Sequence, residues 1–308
     1  MLPTDPDEEF SEDSDQTPIE PGGEPEDMDP PEVLDPVDLE FDLEGEDDED
    51  EEEEGEEGDD DAPAKPASKK KAKAEEDEEV AHPDTPVPTA KKMQSALEWA
   101  FEGEEEVTPE MIASLTKHAL LVLKANREMN LLTVFDPKEL AAKFYLDSWR
   151  VSRLVPLMAR RIVDLGAGGG FPGIPVAIAE PMCSMVLCEA NPKKAANLES
   201  MVKALGLRNV KVQAMRAEDY LATERCDAVL VREVSSVREN VRTLRKVRHS
   251  LKDYVMLKGK SWSREVRAAE RESERLGFKL DTVWEHELPD EMGSRAVLVY
   301  RAPGGAGM

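Results

Sequence analysis

The pattern of apolar and polar residues changes character twice along the chain. Up to residue 90, acidic residues and prolines dominate and no apolar period is evident. From 91 to 158 apolar residues recur at helical spacing. From 159 to 302 short apolar runs alternate with amphipathic stretches, which is typical of an α/β sheet. We therefore expect a tail, a helical extension, a sheet domain and a flexible end at 303–308.

Start signals predict two helices in the extension. Thr108-Pro109-Glu110 supplies an N-cap residue, a proline at the first helical position and an acid in the first turn. The apolar residues from Met111 to Leu123 then keep helical spacing. Asp136-Pro137-Lys138-Glu139 has the form of a capping box and predicts a second helix that ends near Leu154.

Seven strands are expected in the sheet domain, at 161–165, 184–188, 210–214, 226–232, 254–258, 278–285 and 295–301. Pro175 to Ala179 predicts a crossover helix in the first gap, and 193–205 predicts another that Gly206 ends. The gap at 289–294 is too short for a helix, so the last two strands should form an antiparallel hairpin. The expected fold is α/β, a Rossmann-like seven-stranded sheet of the class I methyltransferase type.

A glycine-rich loop follows the first strand, with the sequence Asp164-Leu165-Gly166-Ala167-Gly168-Gly169-Gly170-Phe171-Pro172-Gly173. Glycine lets a ligand approach the backbone because no Cβ stands in the way. At the carboxyl edge of an α/β sheet, such a loop typically binds a nucleoside-bearing cofactor. Three interpretations compete: a loop for S-adenosylmethionine, a loop for a dinucleotide, and a purely structural turn.

The placement of the glycines favours S-adenosylmethionine. Gly168-x-Gly170-x-x-Gly173 matches the dinucleotide fingerprint, but that short pattern is a weak signal. The tight turn begins earlier, at Gly166, and Pro172 lacks the backbone N–H that a pyrophosphate would bind. Asp164 suits a cationic or donor-rich neighbour, such as the methionine end of this cofactor. We expect Asp164, Gly166, Gly168 and Gly170 to lie at the cofactor.

Polar residues stand at the ends of the later strands. Glu189 follows the second strand, where a carboxylate can accept both ribose hydroxyls or can instead cap the next helix. Four basic residues lie at or near the ends of separate strands: Arg216, Arg232, Lys258 and Arg295. A single arginine in such a place is ordinary solvated surface. Four of them predict a face that binds a polyanion.

Charge is distributed unevenly, which changes the meaning of the net charge of −29. Residues 1–90 hold 38 Asp and Glu against 5 Lys, whereas residues 91–308 carry a net charge of +4. The acidic segment can bury too little apolar surface to offset the entropy of ordering, so we predict that it is disordered. It is either a solvated extension or a polyanion that competes with nucleic acid for the basic face of the domain.

Cysteine and histidine usage favours an intracellular protein without a metal site. Cys183, Cys188 and Cys226 lack metal-ligand spacing and are interpreted as reduced, buried thiols. The four histidines are scattered along the chain. No apolar run reaches the roughly 18 residues of a membrane span. We expect a cytoplasmic monomer that does not bind a membrane.

From about Asn126 to Arg301 the chain resembles the RsmG (glucose-inhibited division protein B) family of bacterial methyltransferases. The strongest marker is the Phe171-Pro172-Gly173 end of the loop. Other matching segments are Met129-Asn130-Leu131-Leu132-Thr133-Val134, Tyr145-Leu146-Asp147-Ser148, Lys193-Lys194, Gly206-Leu207-x-Asn209-Val210 and Leu257-Lys258-Gly259. The resemblance implies S-adenosylmethionine-dependent methylation of a guanine N7 in the 16S rRNA of the small ribosomal subunit.

The resemblance also implies roles for particular residues. Those expected at the cofactor are Gly166, Phe171, Ala217, Glu218 and Arg232. Those expected to serve the RNA are Arg216, Lys258 and Arg295, and the resemblance implies catalytic roles for Arg232, Lys258 and Arg295.

Four positions depart from the family pattern: Ala167, where Ser or Thr is usual, Phe144, where His is frequent, Glu233, where a small residue is preferred, and Ser294, where Glu is favoured. Two other functions therefore stay open. One is a methyltransferase that acts on a protein or a small molecule, since the fold alone permits either. The other is a non-catalytic RNA-binding paralogue.

Overall fold

The structure is a computed structural model that describes residues 81–232 and 234–303. Residues 1–80 of the predicted tail, Glu233 and residues 304–308 of the predicted flexible end lie outside the described residues. The described part contains a seven-stranded sheet in the order β3-β2-β1-β4-β5-β7-β6. Its strands are β1 (Arg161–Leu165), β2 (Ser184–Cys188), β3 (Val210–Gln213), β4 (Ala228–Arg232), β5 (Asp253–Gly259), β6 (Lys279–Glu287) and β7 (Ser294–Arg301).

The sheet has the predicted topology. Strand β1 lies inside the sheet and pairs in parallel with β2 and β4, while β5 adds in parallel to β4. Strand β7 runs antiparallel to both β5 and β6, with a single 3₁₀ turn at Pro289–Glu291 between β6 and β7. The Rossmann-like fold with its antiparallel hairpin is thus confirmed.

Helices cover both faces of the sheet: α1 (Ala90–Ala100), α2 (Pro109–Ala125), α3 (Pro137–Leu140), α4 (Asp147–Leu154), α5 (Gly173–Ala179), α6 (Pro192–Leu205), α7 (Ala217–Leu221), α8 (Val237–Thr243) and α9 (Trp262–Leu276). Alternate strand residues point to opposite faces. Ile162 belongs to a core shared with α1, α2, α5 and α6, whereas Val163 belongs to a second core shared with α7, α8 and α9. The helical extension therefore packs on one face and leaves the other to α7–α9.

The two helices predicted in the extension begin at their predicted caps, but the second is interrupted by a π-helical turn, and α1 precedes both as a helix that was not predicted. Thr108 caps α2 by accepting a hydrogen bond from the backbone N–H of Met111. Asp136 caps α3 in the same way, but the Glu139 side chain accepts from Lys143 rather than returning to the cap, so the predicted capping box forms only in part. The helix predicted to reach Leu154 is divided by a π-helical segment, Ala141–Leu146. Such a segment is common at functional sites.

Contacts with the helical extension begin before the predicted boundary at residue 90. The His82 N–H donates to the Asn126 carbonyl at 3.3 Å, and Thr85 is 2% exposed. The Asn126 amide donates to the Thr85 hydroxyl at 3.0 Å, and its oxygen accepts from the backbone of Leu131 and Leu132. One buried amide thus holds three segments of chain together.

The three cysteines are buried free thiols. Burial raises the pKa of Cys188 and that of Cys226 to about 12, so both stay protonated at neutral pH. Among the described helices, none is long and apolar enough to cross a membrane. No group of three or more His, Cys, Asp or Glu that could hold a metal ion occurs in the described residues.

An aromatic cluster fastens the helical extension to the glycine loop. The ring of Phe171, from the loop, lies 5.1 Å from the rings of His118, Phe144 and Tyr145. The Tyr145 hydroxyl donates to His118 Nδ1 at 2.9 Å, and His118 Nε2 donates to the Gly169 carbonyl at 3.0 Å. Both bonds fit a neutral imidazole. Burial lowers the pKa of His118 from its ordinary 6.5 to about 4.

This depressed pKa predicts a loss of stability in mild acid. Between pH 6.5 and pH 4 the unfolded chain binds a proton at His118 and the folded chain does not, so stability present at pH 7 falls as the pH falls. Over pH 7 to 5 the loss should be about 2 kcal/mol. Urea unfolding at both pH values should therefore show that the wild type, relative to His118→Gln, is less stable at pH 5 than at pH 7 by about 2 kcal/mol.

Asp164 does not confound that comparison. Its pKa is raised to about 7, so its contribution falls as the pH rises through the same range, but it is present in both proteins and cancels. Equal pH dependence of the two proteins would contradict a neutral, buried His118.

Candidate active site at the carboxyl edge of the sheet

The glycine loop folds back onto the end of β2. The backbone N–H groups of Gly166 and Ala167 both donate to the Cys188 carbonyl, at 3.0 and 3.1 Å, and the Gly168 N–H donates to Glu189 Oε2 at 3.0 Å. Gly166, Gly168 and Gly170 have φ values of 72°, 52° and 92°. Such values favour glycine. The structure therefore brings together Gly166, Gly168 and Glu189 at the ends of β1 and β2.

Glu189 is partly exposed and is not the cap of the next helix. Asn191 caps α6, because its side chain accepts from the backbone N–H groups of Lys193 and Lys194. Glu189 Oε1 accepts from the Asn191 N–H at 2.8 Å, while Oε2 accepts from the loop. A carboxylate has about four lone-pair sites. Acceptor positions on Glu189 thus remain for a ligand.

Asp164 lies beneath the loop, fully buried. Its Oδ2 accepts from the Gly173 N–H at 2.8 Å, and its Oδ1 has no hydrogen-bond partner among the described residues. A Cβ on Gly173 would stand 2.6 Å from Oδ2, so glycine is needed at that position. Burial, with a smaller effect from Glu189, raises the pKa of Asp164 to about 7. In this geometry Asp164 supports the loop from below.

The other predicted loop residues also face the protein interior. Phe171 is 7% exposed within the aromatic cluster. A Cβ on Gly170 would meet the side chains of Ile174 and His118, which places Gly170 against the helical extension. Ala167, a departure from the family pattern, is 2% exposed.

A second group of side chains surrounds one buried carboxylate, that of Asp147 at the start of α4. Its side chain is 3% exposed. Oδ2 lies 3.6 Å from Arg232 Nε and 4.0 Å from Arg295 Nε, while Oδ1 lies 3.2 Å from His286 Nε2. The three partners come from β4, β7 and β6. We call Asp147, Arg232, His286 and Arg295 the Asp147 cluster.

The π-helical segment supports Arg232 from the other side. Arg232 Nη2 donates to the Lys143 carbonyl at 2.8 Å, and the guanidinium carbon lies 3.9 Å from the centre of the Phe144 ring. A cation over an aromatic face is attracted by the ring quadrupole. Phe144, a departure from the family pattern, thus has a definite place beneath the guanidinium group.

Lys258 and Arg216 lie in different surroundings. The Lys258 ammonium is buried, 2.6 Å from the Ser235 carbonyl and 2.7 Å from Glu265 Oε2. It therefore ties the segment after β4 to α9. Arg216 is exposed at the start of α7. Of the four predicted basic residues, the structure brings Arg232 and Arg295 onto one carboxylate.

The remaining residues singled out from the sequence are Ala217, Glu218 and Ser294. Ala217 is buried and Glu218 is partly exposed, both in the first turn of α7. Ser294 begins β7 and pairs with Glu287 of β6.

Sequence reasoning missed the roles of Asp147, His286 and Phe144. The available signal for Asp147 was an acid between Leu146 and Ser148, in a helical segment whose neighbours are apolar. Buried charges require partners. His286 gave no signal, because it becomes a neighbour of Asp147 only through tertiary contacts between positions 139 residues apart.

Comparisons with known proteins agree on one family. Residues 111–291 match the family described as rRNA small subunit methyltransferase G. The chain is 34% identical over 194 residues to the ribosomal RNA small subunit methyltransferase G of Solibacter usitatus, covering 62% of this chain and 90% of the relative. It is 30% identical over 199 residues to the protein of that name from Carboxydothermus hydrogenoformans, covering 63% and 85%.

Solved structures show more distant similarity. A precorrin-6y C5,15-methyltransferase from Geobacter metallireducens matches with a TM-score of 0.40 at 16% identity, covering 56% of this chain and 90% of that one. A SAM-dependent methyltransferase from Aquifex aeolicus matches with a TM-score of 0.40 at 15% identity, covering 54% and 93%. The family assignment rests on the sequence matches.

The family matches confirm the predicted enzyme class, methyl transfer to ribosomal RNA, and S-adenosylmethionine as the predicted cofactor. They cover the helical extension from α2 onward and nearly all of the sheet domain. The chain belongs to the rRNA small subunit methyltransferase G family.

Proposed function

We propose that this protein transfers a methyl group from S-adenosylmethionine to N7 of a guanine in 16S rRNA, and that it does so as a cytoplasmic monomer. The observation that carries the proposal is the Asp147 cluster, which places two guanidinium groups at the carboxyl edge of the sheet. Neighbouring parallel strands β1 and β4 end at that edge, where α/β folds bind ligands.

The cluster is physically linked to the cofactor loop. Arg232 rests on the Phe144 ring, and that ring contacts Phe171 of the loop. On the other side, a Cβ on Gly166 would stand 3.4 Å from the Val234 side chain, which follows β4. A base held by the arginines would thus lie near the backbone of the loop.

The loop itself fits S-adenosylmethionine. Gly166 and Gly168 present backbone without Cβ atoms, and Glu189 has carboxylate lone pairs for ribose hydroxyls. Exposed Arg216, just before α7, and partly exposed Glu218, in its first turn, follow the end of β3, the usual place for contacts to the adenine. When bound, the cofactor supplies an electrophilic methyl group on a sulfonium ion.

Methylation of guanine N7 requires little proton transfer by the protein. N7 carries a lone pair and needs no deprotonation, so a general base is not required. The residues have to hold the base in line with the methyl group and to exclude water. Orientation of this kind can supply roughly 7–11 kcal/mol of the barrier reduction.

Arginine also suits recognition of the base. A guanidinium group can donate to guanine O6, leaving the adjacent N7 lone pair free for the methyl group. The Asp147 carboxylate offsets one of the two guanidinium charges. It therefore lowers the electrostatic repulsion between this edge of the sheet and a cationic methyl donor.

A transfer assay tests the proposal directly. Purified protein is incubated with methyl-labelled S-adenosylmethionine and small ribosomal subunits from cells that lack this gene, and the labelled nucleoside is identified by mass spectrometry. We expect N7-methylguanosine in 16S rRNA. Label in a protein or in a different nucleoside would contradict the proposal, as would a failure to transfer label although the cofactor binds.

Asp147→Asn should slow methyl transfer by loosening both arginines. A displacement of about 1 Å in a positioned group can cost about 10²-fold in rate. We therefore expect kcat for small subunits to fall by about that factor, with the affinity for S-adenosylmethionine changed little. Steady-state kinetics and calorimetric titration measure the two quantities.

Asp253→Asn is the matched control. Asp253 is also a buried carboxylate between two arginines, 2.7 Å from Arg160 Nη1 and 2.5 Å from Arg301 Nη1, but it lies at the opposite edge of the sheet. The Asp253→Asn variant should be less stable than the wild type but should keep the wild-type kcat. Equal losses of kcat in the two variants would show that Asp147 acts only on stability.

A further inference from the structure

A strongly basic segment lies outside the crevice, on the face of the sheet covered by α8 and α9. Residues 237–252 contain six Lys and Arg against a single Glu, a net charge of +5. The whole of 91–308 carries only +4. The net positive charge of residues 91–308 therefore comes from this one stretch of sixteen residues.

Five of the six basic side chains of this stretch lie at the surface without an acidic partner, or with only one, among the described residues, while the sixth, Lys252, pairs with Asp227 at 2.9 Å. Arg238, Arg242, Arg245 and Lys246 are exposed, and Arg248 is partly exposed. The inward positions of the same stretch are apolar and buried in the core with α9: Val237, Val241, Leu244, Val247 and Leu251. One side thus secures the segment to the sheet while the other carries the charge. We call Arg238, Arg242, Arg245, Lys246 and Arg248 the α8 strip.

The strip is little neutralised by neighbouring acids. Arg242 pairs with Glu272 of α9 at 3.2 Å. Within the part of the chain that the structure describes, no ion pair involves Arg238, Arg245, Lys246 or Arg248. By contrast, α9 carries four Arg and four Glu. Like charges three and four residues apart repel one another, so a strip of this kind suits an external polyanion.

The strip starts beside the crevice. Helix α8 begins five residues after the carboxyl end of β4, where Arg232 lies. The segment then reaches the opposite edge of the sheet, where the Cys226 N–H donates to the Ser250 carbonyl just before β5. The strip therefore runs from the proposed active site along the flank of the domain.

We propose that the α8 strip binds phosphates of the rRNA substrate outside the crevice and holds the RNA while the target guanine enters it. The inference rests on the proposed function, since it takes the RNA as substrate. Phosphate contacts of this kind position a nucleic acid without reading its sequence. They also make binding depend steeply on salt, because each contact releases condensed counterions.

The test compares two double variants with the same charge change. Arg245→Gln with Lys246→Gln removes two charges from the strip. Lys91→Gln with Lys92→Gln removes two exposed charges from α1, which packs on the opposite face of the sheet. Methyl transfer to small ribosomal subunits is measured over a series of salt concentrations, together with the affinity for S-adenosylmethionine.

We expect the strip variant to raise KM for subunits about tenfold at about 0.1 M salt, and to reduce the slope of log KM against log salt by about one to two. Its kcat and its affinity for S-adenosylmethionine should stay at wild-type values. The α1 variant should match the wild type in all four quantities.

Two outcomes would overturn the inference. One is a strip variant with the KM and salt slope of the wild type. The other is a strip variant that binds subunits more tightly, as expected if the strip holds the acidic segment 1–80 of the same chain. A wild-type protein that transfers no methyl group would instead contradict the proposed function. Co-sedimentation of the same variants with subunits would then still decide whether the strip binds RNA.

Discussion

The Asp147 carboxylate is the interaction on which the arrangement of the site depends. An ionised carboxylate with a 3% exposed side chain is costly to bury unless cations and hydrogen-bond donors compensate for the lost water. The compensation comes from Arg232, His286 and Arg295, which belong to three different strands. The helical extension and the sheet therefore meet at a buried charged group, and separating them there would leave that charge unpaired.

From this carboxylate the contacts continue to the cofactor loop. Arg232 lies on the Phe144 ring and donates to the Lys143 carbonyl, both within the π-helical segment. Phe144 then meets Phe171, and His118 hydrogen-bonds the backbone of the same loop. Such packing favours catalysis at a site that has to align two substrates, because a small displacement of either substrate slows an in-line transfer. The departure at Phe144 is thus compatible with an organised site.

The sheet could be predicted because the sequence signals for its strands and turns are local. Short apolar runs, glycine stops and the six residues at 289–294 indicate the strands and the final hairpin without reference to any partner. The loop and Glu189 could be placed for the same reason, since both follow directly from strand ends. The π-helical segment could not, because its apolar residues also fit an ordinary helix.

The direction of each basic side chain could not be predicted either. Lys258 and Arg295 both lie near strand ends, yet Lys258 turns to Glu265 of α9 while Arg295 turns to Asp147. Those choices depend on which acid lies across a tertiary contact. Asp147 itself was visible in sequence, but its partners lie 85, 139 and 148 residues away.

A double-mutant cycle in kcat/KM between Asp147→Asn and Arg232→Gln tests most directly whether the buried carboxylate organises the site. If Asp147 acts by holding Arg232, the double variant should be little slower than the slower single variant, because residues that act as a unit have non-additive effects. Losses that simply multiply would show that the two residues act independently, and would contradict a role for Asp147 in positioning Arg232.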